Sequence, residues 1–177
     1  MSSSEVSFPP SLISPTIAAS FPDSYTIRPL ERSDYAKGFL NCLKVLSDVG
    51  EVTEEQFNER YDWMNQHGKG VHYHVVIEHE SRIVGTGALI VERKFIHNLG
   101  IIGHIEEIAI ASDQQGKKLG LKLMQALGSI AVNVGCYKTT LGTSDANEPF
   151  YVKCGYKKSG RVMSQYYEEP KSAYERG

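Results

Sequence analysis

Two adjacent carboxylates, Glu106 and Glu107, interrupt an otherwise apolar and β-branched run over residues 103–110. Carboxylates set in such a strand can accept hydrogen bonds from hydroxyls or take a proton from an ammonium group. Successive strand residues face opposite sides, so both reach one pocket only if a bulge re-aims one of them. Otherwise one is an exposed charge and the other is paired. The run leads into Ser112-Asp113-Gln114-Gln115-Gly116-Lys117-Lys118-Leu119-Gly120, followed at once by a helical pattern. A Gly-bearing loop that opens a helix presents unpaired amides at the positive end of the helix dipole, where anions bind. Gly116 and Gly120 permit close approach of a ligand, and Lys117 and Lys118 add positive charge. A diphosphate fits that design. The spacing matches neither the Walker loop nor GxGxxG, which disfavours a nucleoside triphosphate or a dinucleotide. Taken alone, the loop is equally a solvated turn carrying two lysines.

These residues need elements to hold them. Residues 25–30 read as a short strand. Ser33 reads as a helix N-cap, and Tyr35, Phe39, Leu43 and Leu46 recur every three or four residues as one helical stripe, stopped at Gly50. Thr53 with Gln56 is a capping-box pattern for a second helix, with Phe57, Tyr61 and Met64 on its buried side and its end by Gly68. Residues 74–78 and 83–93 predict a hairpin across Glu80-Ser81-Arg82. Leu119, Leu123, Leu127, Ile130 and Val134 step at helical spacing toward a stop at Gly135. Residues 137–141 read as a strand, residues 147–154 as a short helix with Pro149 in its first turn, and residues 156–167 as a closing strand or hairpin. The order is β-α-α-β-β-β-α-β-α-β, an α/β sandwich with a mixed sheet.

The chain has 177 residues, enough for one domain whose core needs no disulfide or metal staples. Lys and Arg number 19 against 21 Asp and Glu, and this balance argues against general nucleic-acid binding. Cys42, Cys136 and Cys154 have no ligand spacing and read as reduced thiols of an intracellular protein. His67, His72, His74 and His79 cluster, yet nothing around them has a metal-ligand pattern, so no metal is expected. No apolar run approaches the ~18 residues of a membrane helix. The first basic residue is Arg28, which argues against a secretory or transit leader and for the cytoplasm. Residues 1–24 hold four of the seven prolines and many serines, the composition of a flexible tail, although Phe8, Leu12, Ile13 and Phe21 are apolar enough to dock. One domain over residues 25–168 follows, and residues 169–177 read as a second tail.

The loop Gln115-Gly116-Lys117-Lys118-Leu119-Gly120 resembles the acetyl-CoA pyrophosphate loop of the GNAT N-acetyltransferases, with Lys118 where that pattern has its first Gly. Residues 92–100, 103–110, 135–138 and 150–156, with Leu43-Lys44-Val45-Leu46 and Gly50, resemble in order the eukaryotic glucosamine-6-phosphate N-acetyltransferase branch of that family. The resemblance spans roughly residues 25–167. It implies a mixed, mostly antiparallel sheet flanked by helices. It also implies acetyl-CoA as co-substrate and acetyl transfer to D-glucosamine 6-phosphate by direct attack in a ternary complex, a step toward UDP-N-acetylglucosamine.

The same resemblance implies roles for residues. Ile108, Ala109 and Ile110 would pair with the pantetheine and offer amides to the thioester carbonyl. Gln115, Gly116, Lys117, Lys118, Leu119, Gly120 and Asn147 would hold the cofactor. Tyr151 would stand near its sulfur as general acid. Ser47, Lys94, His97, Glu106 and Glu107 would contact the sugar phosphate, with Glu106 able to assist deprotonation of the amine. A homodimer is implied, each C-terminal strand completing the partner's site. Two positions depart from the pattern. Gly142 stands where the branch has an Asp that handles the amine, leaving only a backbone carbonyl. Tyr166 stands where it has an Arg that reaches the phosphate. Two alternatives therefore stay open: an unphosphorylated hexosamine or other small amine as acceptor, or a CoA-binding module with little catalysis. Cys154 has no activating base beside it in sequence, so no acetyl-enzyme is expected.

Overall fold

A computed structural model describes residues 6–167. Its middle layer is one five-stranded sheet in the order β1-β2-β3-β4-β5. The strands are β1 (Tyr25–Pro29), β2 (His72–His79), β3 (Arg82–Arg93), β4 (Ile101–Ile110) and β5 (Cys136–Thr140). The first four pair antiparallel, β2 to β4 through short connections and β1 with β2 across the helical segment of residues 30–71. β5 runs parallel to β4 because a helix crosses between them. This is the mixed sheet expected from the residue pattern. The β2–β3 turn is shorter than expected, since Glu80 and Ser81 both take left-handed angles and Arg82 already belongs to β3.

Helices cover both faces. The helical stripe of the long helix is borne out as α5 (Leu119–Asn133), whose Leu119, Leu123, Leu127 and Ile130 are fully buried against one face. Gly87 of β3 lies under them. A Cβ there would come within 2.6 Å of Ile108 Cδ1 and 3.0 Å of Leu127 Cδ1, so the close approach of helix to sheet requires glycine. The opposite face carries α2 (Phe39–Leu43) and α3 (Glu54–Gln66), with Phe39, Cys42, Phe57 and Tyr61 buried over Val76, Ile83 and Ala109. Thr53 caps α3 as the sequence indicates: its side chain accepts from Gln56 N, and the Gln56 side chain accepts from Thr53 N. Met64 is only half-buried. Two short helices complete the order, α4 (Ile96–Leu99), a single turn with left-handed His97 and Asn98, and α6 (Glu148–Lys153).

Three expectations need correction. The stripe from Tyr35 to Leu46 is not one helix. Gly38, at φ +82°, breaks it into a 3-10 turn over Arg32–Tyr35 and the short α2. The cap is Glu31 rather than Ser33, in reciprocal hydrogen bonds with Asp34. Asp34 is itself fully buried and accepts both Arg28 guanidinium nitrogens at 2.8 and 2.7 Å. The closing strand is also absent. The described residues beyond α6 form no strand, and the free edge of β5 stays unpaired among them.

The third correction concerns the segment before β1. Over residues 6–24 it is packed on the domain rather than loose. It forms a 3-10 turn over Pro10–Leu12 and the short α1 (Pro15–Ala18). Phe8, Ile13 and Phe21 are all buried in the main core. The Ser129 hydroxyl accepts from Ser14 N at 3.1 Å, and Asn133 donates to the Leu12 carbonyl at 2.9 Å, both from α5. Prolines stiffen the segment and lower the entropy lost on docking, while three large side chains contribute about 1.5–3 kcal/mol each when buried. Composition hid those anchors. Residues 1–5 and 168–177, and with them the second tail over 169–177, lie outside the described residues.

Candidate active site

The paired carboxylates are brought to one face by a bulge. β3 and β4 pair through Thr86 with Ala109 and Ala88 with Glu106, and the register slips between those pairs. Glu107 and Ile108 together therefore oppose Gly87, and Glu107 takes a left-handed φ of +56°. Ile108 turns toward α5, while Glu107 stays on the face of Glu106. There it meets His74 of β2, whose Nε2 lies 3.6 Å from Glu107 Oε2. His74 holds the Glu107 carboxyl below its usual pKa, against the opposing effect of burial. Both carboxylates are exposed and have room for a ligand.

β4 and β5 are paired only from Ile101 with Cys136 to His104 with Thr140. Residues 105–110 consequently have an edge without a partner strand, and Ile108, Ala109 and Ile110 lie on it. An extended chain can pair there as another strand would. The gap leads to the loop before α5. Lys118 is the N-cap of α5 and makes no side-chain cap bond, so the first amides of α5 lack side-chain partners and point outward. Lys118 takes φ +62°, the left-handed angle that a Gly adopts freely. Lys117 is held by the Gln114 side-chain carbonyl at 2.7 Å and the Tyr25 hydroxyl at 3.0 Å. Gln115 turns back and donates to the Ile110 carbonyl, and Gly116 and Gly120 flank the mouth.

Tyr151 of α6 stands over this region, edge-on to Phe150 and Tyr156. Burial raises its pKa, with Cys154, Tyr156 and Glu106 adding to the effect. Its hydroxyl therefore stays protonated. Asn147 is the N-cap of α6 and makes no side-chain cap bond. Gly142 lies between β5 and α6. A Cβ there would meet only Val162 Cγ2 at 3.8 Å, so a side chain fits. Burial raises Cys154 and Cys136, and it pushes Cys42 up to about 11, so none of these thiols is poised as a thiolate.

The remaining expected residues stand apart from this group within the single chain. Lys94 is bound to Glu92 at 2.6 Å, and His97 packs against Tyr137 on β5. Both lie at the far tip of the β3–β4 hairpin, about 20 Å along the strand from Glu106. Ser47 follows α2, and its amide bonds back to Leu43. Two residues, His104 and Glu92, were given no role from sequence, and His74 was noted only within a histidine cluster. His104 bridges Glu92 at 2.9 Å and Thr140 at 3.3 Å, extending the polar strip of Glu106 toward Lys94. His74 and Glu92 complete that strip. The two-residue spacing of His72 and His74 signalled a shared face, but the bulge that presents Glu107 to His74 has no sequence signature of its own. No group of His, Cys, Asp and Glu among the described residues has a metal-binding arrangement.

Comparison with known proteins bears on the same residues. Residues 30–156 match the acetyltransferase (GNAT) family. The glucosamine 6-phosphate N-acetyltransferase of Candida albicans is 43% identical over 142 residues, covering 80% of this chain and 95% of that protein. The enzyme of the same name from Arabidopsis thaliana is 38% identical over 148 residues, covering 82% of this chain and 99% of that one. A crystal structure of glucosamine-6-phosphate N-acetyltransferase from Arabidopsis thaliana superposes with a TM-score of 0.79 at 38% identity, covering 82% of this chain and all of that one.

Proposed function

The chain belongs to the GNAT acetyltransferase family and is an N-acetyltransferase that uses acetyl-CoA; from that premise we propose that its acceptor is the amine of glucosamine 6-phosphate. The observation that carries the reading is the bulge in β4. It sets Glu106 and Glu107 side by side next to an open strand edge and an uncapped helix start. The α5 amides with Lys117 and Lys118 suit the diphosphate of the cofactor. The open edge of β4 suits its pantetheine arm, with a backbone amide near Ile108–Ile110 stabilising the developing oxyanion. Glu106 and Glu107 suit the ammonium and hydroxyls of an aminosugar.

Chemistry then needs no covalent enzyme intermediate. The ammonium group loses a proton toward Glu106 or water. The neutral amine attacks the thioester carbonyl, a C–N bond forms and the C–S bond breaks. The sulfur leaves as a thiol, taking the proton of Tyr151, whose raised pKa keeps that proton available. The second N–H proton of the attacking amine, released as the amide forms, returns to the Tyr151 oxygen directly or through water and restores it. Depressed nucleophilicity at Cys154 supports direct attack in a ternary complex. Glu92 occupies Lys94, so Lys94 reaches a phosphate only by exchanging partners.

The reading extends to assembly and location. β5 is an open sheet edge, and Phe95, Ile96, Leu99 and Tyr137 are exposed beside it. This favours a homodimer whose C-terminal segments pair with the partner and complete its site; the cytoplasm is proposed only from the sequence composition. Light scattering tests the dimer, and a monomer at working concentration ends that part of the reading.

Thiol release from acetyl-CoA tests the function, with glucosamine 6-phosphate, glucosamine, polyamines and lysine peptides as acceptors. Glucosamine 6-phosphate gives the highest kcat/KM. A better unphosphorylated amine would transfer the reading to an altered acceptor, which Gly142 and Tyr166 favour. Binding of CoA with no turnover would leave a binding module.

A further inference from the structure

Away from the loop and Tyr151, the densest chemistry lies on β2 and α3. His74 is 8% exposed and lies nearly parallel to His72, with ring centroids 6.1 Å apart and planes at 14°. Trp63 of α3 stands edge-on to His72 and packs on His67. The charged groups acting on this cluster are Glu107 from β4 and Arg60 from α3, with His72 alongside on β2. His74 is thus walled in on one side by another imidazole and opens on the other to Glu107. Glu107 needs such a neighbour. Its backbone sits in a bulge and its side chain is about half exposed, so without His74 it is free to sample several rotamers.

We infer that His74 is a positioning residue for the acceptor, fixing the Glu107 carboxylate beside Glu106 so that both close on one bound aminosugar. The inference rests on reading this site as an aminosugar acetyltransferase. It gains weight from Gly142, which supplies no carboxylate of its own. Glu106 and Glu107 are then the pair left to recognise the amine and its neighbouring hydroxyl. The contact comes from Nε2, and that atom decides which substitute can replace it. The amide nitrogen of Gln reaches the place of Nε2, whereas that of Asn stops near the place of Nδ1.

The experiment is a double-mutant cycle in the full-length protein, with variants H74Q, H74N, H74L, E107Q and H74L/E107Q. KM and kcat are measured for both substrates, and melting temperature serves as the folding check. H74L and H74N raise KM for glucosamine 6-phosphate about tenfold, the scale of one lost charge-assisted contact. KM for acetyl-CoA stays within about twofold, and H74Q recovers most of the loss. In the E107Q background, H74L adds less than about twofold, because the group it positions is gone. Equal effects in both backgrounds overturn the inference, as does failure of H74Q to outperform H74N. If H74L does not fold, the H74Q and H74N pair carries the same comparison. Calorimetric titration of glucosamine 6-phosphate into the CoA-loaded protein separates the two readings. Wild-type protein that neither binds nor acetylates it sinks the acceptor reading and the inference with it. An active wild type with additive variants sinks only the pairing of His74 with Glu107.

Discussion

At the residue scale, the site divides its work between groups that must keep a proton and groups that must not. Burial raises the Tyr151 pKa above its ordinary 10, so the hydroxyl is a donor at every pH below that. Y151F should therefore lower kcat by roughly 100-fold while leaving KM for acetyl-CoA nearly unchanged, the usual weight of a general acid. The alkaline limb of kcat attributable to this donor lies above pH 10, where the hydroxyl ionises, and should vanish in the variant. A loss of less than threefold would assign the thiolate's proton to another source. Gly142 gives the complementary test. Its Cβ position meets only one side-chain carbon at ordinary contact distance, so G142D should leave unfolding free energy within about 0.5 kcal/mol. Acceptor kcat/KM should rise, and Y166R combined with it should favour the phosphorylated sugar. Unchanged kinetics with a folded protein would remove position 142 from amine handling.

At the element scale, function depends on two local departures from ideal geometry. One is the bulge at Glu107, which turns an alternating strand into a two-carboxylate face. The other is the left-handed N-cap of α5. Lys118 holds an angle that costs a non-glycine residue about 1–2 kcal/mol, in exchange for a cation at the mouth of the anion site. K118G should raise stability in urea unfolding by about 1 kcal/mol, net of the added freedom of the unfolded chain. It should also raise KM for acetyl-CoA. A loss of stability would show that the Lys118 stem contributes packing that outweighs the strain. Helix α5 was legible residue by residue, because an apolar step of three to four over a long stretch has one structural solution. The α2 region was not. Its apolar stripe continues through Gly38, whose left-handed angle breaks the helix, and the buried Asp34 with its Arg28 partner anchors the turn before it.

At the scale of the whole molecule, the N-terminal segment is a third layer of the core. Ile13 is 4% exposed and sits against the α5 side of the sheet. I13A should cost about 2–4 kcal/mol in chemical denaturation, the range for truncating a buried Ile. An unchanged midpoint would mean that the segment is undocked in solution. The other large-scale feature is the open edge at β5, where the described chain ends without a strand to cover it. Most of the architecture followed from pattern: helical and strand periodicities set the order of elements, and crossover through α5 forced β5 parallel. What escaped pattern was contact over long sequence separation, such as Phe8 on Tyr73 and His74 on Glu107.

The sequence by itself determined the layers, the anion loop and the presence of two carboxylates at its approach. Those are set by local spacing: helical steps of three and four, strand alternation, and a Gly-bearing turn before a helix. Only the tertiary structure decided that both carboxylates share one face, that His74 stands beside one of them, and that the proline-rich segment is core. Each of these depends on register and on long-range burial. A one-residue slip between β3 and β4 reverses which side chains meet, and no property of the residues taken in order specifies that slip.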